Sequence, residues 1–198
     1  VFILNRLGLL LGVFLLSILP LLFSSADAEQ INTSDLATPA PTRSETYSVH
    51  LPVGLTIDLP TGMRQIHSEA EAISAWIFQS SKMRFKIALL PNDARTPRQL
   101  VMQTMNQWQS VSNKTLAEQG DLSASLKVQG VFDVYWMQGS SDYAKQTWGY
   151  AFVGVVNKQT EQRFIGRFDW PITETDSAQS IQNVAVIRRI LASLQATQ

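Results

Sequence analysis

The chain has 198 residues, 45% of them hydrophobic and none of them cysteine, with 16 lysines and arginines set against 16 aspartates and glutamates. The missing cysteines exclude disulfides, zinc–thiolate sites, a cysteine nucleophile and lipid attachment to an N-terminal cysteine. The balanced charge, with no basic run, gives no footprint for nucleic acid and no electrostatic attachment to an anionic membrane.

The first segment has the grammar of a secretory signal. Arg6 precedes an apolar run from Leu7 to Phe23, interrupted by Pro20, and Ser24-Ser25-Ala26-Asp27-Ala28 follows with small residues where a signal peptidase reads them. Cleavage is expected after Ala28, with Ala26 as the alternative. The other reading is an uncleaved anchor, because the run is close to the roughly 17 residues with which a helix spans a bilayer. Export, to a periplasm or beyond the cell, is the expected localisation, and any membrane attachment would come from the leader alone. Residues 29–45 are polar and punctuated by Pro39 and Pro41, as in a flexible linker. Residues 46–198 then read as one α+β domain. A chain of that size buries roughly 70% of its unfolded surface, enough for a core without disulfides.

Tyr47, Val49 and Leu51 alternate with polar residues, as do Leu55, Ile57 and Leu59 after Pro52-Val53-Gly54. Period two predicts two half-buried strands, the second ended by Pro60-Thr61-Gly62. Ile73–Gln79 and Met83–Leu90 predict a hairpin about Ser80-Ser81-Lys82. Thr96-Pro97-Arg98-Gln99 carries an N-cap threonine, a proline at the first helical position and a glutamine placed to close a capping box. Behind it Leu100, Val101, Thr104, Trp108 and Val111 share one helical face. Further strands are expected at Leu122–Val128, Val131–Met137, Tyr143–Val156 and Arg163–Trp170, with turns at Gly139–Asp142 and Asn157–Thr160. Asp176, with Gln179 three residues on, is placed to cap a last helix whose Val184, Ile187, Ile190, Leu191 and Leu194 fall on one face.

This order of elements resembles the PsbP and DcrB-like superfamily of α/β/α sandwich domains. The resemblance is carried by Gly54-Leu55-Thr56-Ile57-Asp58-Leu59-Pro60-Thr61-Gly62-Met63, by Val128-Gln129-Gly130-Val131, and by the closing Ile190-Leu191-Ala192-Ser193-Leu194. Met63 stands where that group usually has tryptophan. The resemblance implies an antiparallel sheet of about six to seven strands flanked by two amphipathic helices. It also implies a domain, commonly exported, that binds or scaffolds other proteins and is usually not an enzyme. It transfers no functional residue, since the matching positions are structural.

No residue pattern points to catalysis, to a metal or to a cofactor. His50 and His67 read as surface histidines, although His67 with Glu69 and Glu71 is the local cluster nearest to a weak cation site. Ser140 and Ser141, beside Asp142, have the composition of a hairpin turn. The aromatic residues Trp136, Trp148, Tyr150, Phe152, Phe164, Phe168 and Trp170 recur at period two. If the faces of neighbouring strands coincide, they build one apolar layer, either a core beneath the last helix or a partner-binding patch. Asp133, Lys145, Thr147, Arg163, Arg167 and Asp169 lie on the other parity, where Arg163 and Arg167 could hold an acidic group of a partner. Arg163, Arg167, Trp148 and Trp170 are therefore the candidate binding residues, and another envelope or extracellular protein is the expected partner. A small-ligand or cation carrier is the alternative, as is an enzyme whose site assembles only in the fold.

Overall fold

The computed structural model describes residues 45–66, 75–108, 112–128, 130–143, 145–173 and 177–196. The expected leader, the linker as far as residue 44, the His67, Glu69 and Glu71 cluster, Val111 and Asp176 lie outside these residues. Among the described residues no helix is long and apolar enough to cross a membrane.

β1 (Thr46–Leu51) and β2 (Leu55–Pro60) form the expected hairpin, with Val49 opposite Ile57 and Leu51 opposite Leu55. Gly54 takes φ 72° in its turn, a conformation that glycine adopts without a Cβ penalty. A short β3 (Arg64–Ile66) follows, which no sequence pattern had marked. β4 (Ala75–Gln79) and β5 (Arg84–Leu90) make the second hairpin, closed by Ser80 N–H donating to the Met83 carbonyl at 2.9 Å.

α1 (Pro97–Gln107) begins as the sequence requires. The Thr96 hydroxyl accepts from Gln99 N–H while the Gln99 side chain accepts from Thr96 N–H, which satisfies two otherwise orphaned donors.

Two expectations fail in the next stretch. No strand covers Leu122–Val128: the Asp121 carboxylate accepts from Ser123 N–H, Leu126 N–H bonds back to Leu122, and Lys127 takes φ 60°, so the segment is a compact turn that buries Leu122, Leu126 and Val128. The strand lies earlier, as β6 (Ser112–Asp121). Its residues from Thr115 to Gln119 are all exposed, so neither face carries an apolar alternation. Nor is Gly139–Asp142 a turn. β7 (Phe132–Tyr143) runs straight through it, and the chain reverses between Tyr143 and Gln146, with Lys145 at φ 65°. The Asn157–Thr160 turn is as expected, with the Asn157 side chain accepting from Gln159 and Thr160 N–H groups. It joins β8 (Gln146–Asn157) to β9 (Arg163–Pro171). α2 (Ser177–Ala192) and a two-residue β10 (Gln195–Ala196) complete the chain.

Seven strands form one antiparallel sheet in the order β3-β4-β5-β9-β8-β7-β6, and a separate sheet has the order β1-β2-β10. One face of the large sheet carries α1, with Leu100, Val101 and Trp108 packed on Tyr150, Phe152 and Ile165. The other face carries α2 and the small sheet, in a larger core joining Ile187, Ile190 and Leu191 to Leu55, Ile57, Phe78, Trp136, Phe168 and Trp170.

The expected single aromatic layer is thereby split in two. β8 and β9 pair Tyr150 with Asp169, Ala151 with Phe168 and Phe152 with Arg167. Directly opposed residues share a face, so Tyr150 and Phe152 lie under α1 while Phe164, Phe168 and Trp170 lie under α2. β8 is apolar on both sides because both sides are covered.

Candidate binding face

The α1 face of the large sheet gathers the polar and aromatic groups that the core does not absorb. Following the strand register, Pro171, Trp148 and Ser141 form one row across this face, Asp169, Tyr150 and Gly139 the next, and Arg167, Phe152 and Met137 a third. Successive rows lie about 7 Å apart, two strand residues.

Trp108, which ends α1, stands over the last two rows. Its ring meets Tyr150 edge-on at 5.2 Å and Phe152 at 5.3 Å between centroids. The Arg167 guanidinium lies 4.5 Å from the Trp108 ring centre and donates from Nε to Asp169 Oδ1 at 2.7 Å. The Lys114 ammonium is 5.4 Å from the same ring and donates to the Trp108 backbone carbonyl. A cation there is favourable twice over, facing both the aromatic quadrupole and the negative end of the helix dipole.

β6 is held close by Gly139, where a Cβ would stand 1.8 Å from the Thr115 carbonyl oxygen. Tyr150 OH donates to that same oxygen at 3.1 Å. Burial pushes the Lys114 ammonium below the ordinary lysine range and the Tyr150 phenol above its ordinary value. Asp142, next to Ser141, is held low by donation from Asn113 and then from Thr147.

Among the donors on this face, Trp108 Nε1, Trp148 Nε1 and Ser141 Oγ are buried and make no hydrogen bond. Ser141 is 1% exposed and stands directly opposite Trp148.

Of the four residues singled out from sequence, Arg167 and Trp148 share this face. Arg167 is 9% exposed and spends its Nε on Asp169. Arg163 lies at the other end of β9. There it donates to the Arg95 carbonyl at 3.1 Å, to Asn92 and to the Glu161 carbonyl, fastening the loop that leads into α1. Trp170 is on the opposite face, 1% exposed, with Nε1 donating to Ser180 at 3.1 Å. The Ser140 hydroxyl, next to Ser141, lies 2.5 Å from the Thr115 hydroxyl. His50 is exposed, with Nδ1 2.9 Å from the Thr56 hydroxyl. Among the described residues no three histidine, aspartate or glutamate side chains come together as metal ligands.

Sequence reasoning missed Trp108, Lys114 and Ser141 as members of a site. Trp108 fitted the buried stripe of the helix, and Ser141 fitted a turn. Lys114 fell in a stretch with no element assigned.

The architecture defines an α+β protein of Mog1/PsbP-like fold. Among solved structures it is similar to the Ran-binding protein Mog1p of Saccharomyces cerevisiae, with a TM-score of 0.57 and 8% identity over 79% of this chain and 97% of that one. It is also similar to LpqN of Mycobacterium tuberculosis, described as involved in cell envelope biogenesis, with a TM-score of 0.50 and 10% identity over 78% of this chain and 91% of that one. No protein-family model matches the sequence, and no curated protein matches it significantly. At these identities the likeness is one of fold.

Proposed function

We propose that the chain is an exported, non-enzymatic binding domain of the PsbP/DcrB kind that captures another protein of the cell envelope or its exterior. The observation that carries this reading is the character of the α1 face. It joins two tryptophans, a lysine and an ion-paired arginine to the β6 edge, where Leu116 is 50% exposed in the same row as Gly139 and Tyr150. Tryptophan, tyrosine and arginine dominate the energetics of protein interfaces. An edge strand adds unpaired backbone groups that a partner can meet. The fold is consistent with such a role, being shared with a Ran-binding protein and with a protein of envelope biogenesis. The apolar run and the Ala26-Asp27-Ala28 ending support export.

The test is affinity capture of the tagged chain expressed with its own leader, with mass spectrometry of the bait's N-terminus and of the co-purifying proteins. The expected result is a mature N-terminus at Glu29 and a partner lost in the Leu116→Asp variant at unchanged melting temperature. An intact leader would remove the cleavage reading and make the chain a membrane-tethered domain. A partner set identical for Leu116→Asp and the unaltered chain would remove the binding face.

A further inference from the structure

An open recess lies on the α2 side of the molecule, where the end of α2 meets β2. It holds about 100 Å³, with Pro60, Val186 and Ile190 as apolar walls and Asp58 and Arg189 as the charged residues of its lining. The Ser193 hydroxyl, also in the lining, fastens the two elements: it accepts from Asp58 N–H at 2.8 Å and donates to the Ile190 carbonyl at 2.7 Å. Pro60, two residues on, has no N–H with which to continue that contact, and the recess opens there.

Asp58 and Arg189 carry opposite charges into one recess without meeting. Among the described residues they form no ion pair with each other or with any other group. Asp58 accepts from the Ser48 hydroxyl on Oδ1 at 2.6 Å, which leaves Oδ2 to a ligand. Arg189 is exposed in the last turn of α2. Arg188, its neighbour in the chain, is spent on Glu118 at 2.6 Å. The end of α2 adds about half a negative charge on the side of Asp58.

This distribution selects against a ligand of one sign. A simple anion attracted to Arg189 meets Asp58 and the negative end of the helix, and a simple cation attracted to Asp58 meets Arg189. A ligand that carries both charges a few bonds apart satisfies both. The volume suits about four or five heavy atoms, the size of an ammonium, one carbon and a carboxylate, and the open mouth lets a substituent on that carbon project to solvent.

We propose that this recess binds a free α-amino acid, with its ammonium on Asp58 and its carboxylate on Arg189. A peptide does not qualify, because it separates the two charged groups. The site lies on the opposite side of the large sheet from the α1 face, and it stands whether or not the chain captures an envelope protein.

The experiment is an amide N–H titration of the full chain with glycine and with L-alanine, using acetate and methylammonium at matched ionic strength as ligands of one sign. The Asp58, Arg189 and Ser193 resonances should move with either amino acid and saturate with a Kd of about 1 mM, the range of two charge-assisted contacts at an open surface. The Trp108 indole, on the α1 face, should stay in place.

Arg189→Gln and Asp58→Asn should each weaken glycine binding about tenfold, the order expected for one hydrogen bond to a charged group. Arg189→Gln changes an exposed side chain with no ion pair, so the melting temperature should hold. The same variant leaves Asp58 and the helix end unopposed and should bind methylammonium better than the parent does, an exchange of preference that a structural role for Arg189 would not produce. Resonances that do not saturate with either amino acid overturn the proposal. So does acetate or methylammonium binding the parent as tightly as glycine, and so does unchanged glycine affinity in both variants.

Discussion

Gly154→Ala tests how α1 is seated on the large sheet. A Cβ at position 154 would lie 2.3 Å from the Pro97 carbonyl oxygen and 3.0 Å from the Pro97 Cα, where real Cβ contacts essentially never fall below 3.0 Å. The first turn of α1 must therefore lift by at least 0.7 Å. It cannot do so freely. The capping box at Thr96 and Gln99 fixes that turn, and Arg163 ties the Arg95 carbonyl just before it. Leu100 and Val101, 1% and 0% exposed, would be drawn away from Phe152 and Ile165. A gap of that size forfeits a quarter or more of the dispersion well at every contact it opens. Overpacking of this kind costs about 1–3 kcal/mol, and the entropy that alanine removes from the unfolded chain returns less than about 1. The net loss is about 2 kcal/mol, or a melting temperature lower by about 4–8 °C for a chain of this length. Urea unfolding should show a lower midpoint at unchanged slope. Gly120→Ala, where an added Cβ meets nothing within 4 Å, is the control and should stay within about 0.5 kcal/mol of the parent. A Gly154→Ala protein as stable as this control would refute the seating of α1 described here.

Tyr150→Phe deletes the hydrogen bond to the Thr115 carbonyl from a fully buried ring, at a cost of about 1–2 kcal/mol by urea unfolding. Because burial raises the Tyr150 phenol above 10, its contribution is complete below that pH and is lost as pH rises through the raised native value. Melts across alkaline pH should therefore fall less steeply in the variant. Asp93 works in the opposite sense. The Arg95 side chain hydrogen-bonds its carboxylate and holds it below the ordinary value, so that contribution is complete above the ordinary value and is lost as pH falls through the depressed one. Asp93→Asn should flatten the acid limb of the stability profile, and an unchanged limb would contradict the pairing. Reversing both Arg163 and Arg167 to glutamate should lower the melting temperature before it says anything about a partner. Arg167→Glu sets a second carboxylate against Asp169 at a 9% exposed position, where breaking a buried pair costs about 3–5 kcal/mol. Calorimetry showing an unchanged melt would mean that the pair contributes nothing.

Much of the fold could be read from pattern alone, and the failures share a cause. Strands covered on one face or both, such as β2, β5, β8 and β9, announce themselves because burial demands apolar residues at period two or in unbroken runs. β6 does not, because an edge strand exposed from Thr115 to Gln119 owes its place to backbone pairing with β7. The polar tail of β7 fails for the same reason: Gly139, Ser140, Ser141 and Asp142 have the composition of a turn but pair residue by residue with β8. The division of the aromatic residues between two cores was within reach. A four-residue turn from Asn157 to Thr160 pairs even positions with odd ones, which already places Tyr150 and Phe152 on the face of Arg167 and Asp169 and not on that of Phe168 and Trp170.

What no local pattern could supply is the α1-end site, because each of its members has an ordinary explanation until the register is known. Trp108 is a core residue by helical phase, and it is buried as that phase requires; only the position of its ring over Tyr150 and Phe152 places it beside Arg167 and Lys114. Ser141 in a turn would turn its hydroxyl to water or to a nearby amide. Carried inside a strand opposite Trp148, it is sealed from both, and its hydroxyl becomes a group in want of an acceptor. The sequence therefore encodes the site indirectly. It specifies a twelve-residue β7 that is polar at its far end, and an exposed hairpin would not bury a serine there opposite a half-buried tryptophan.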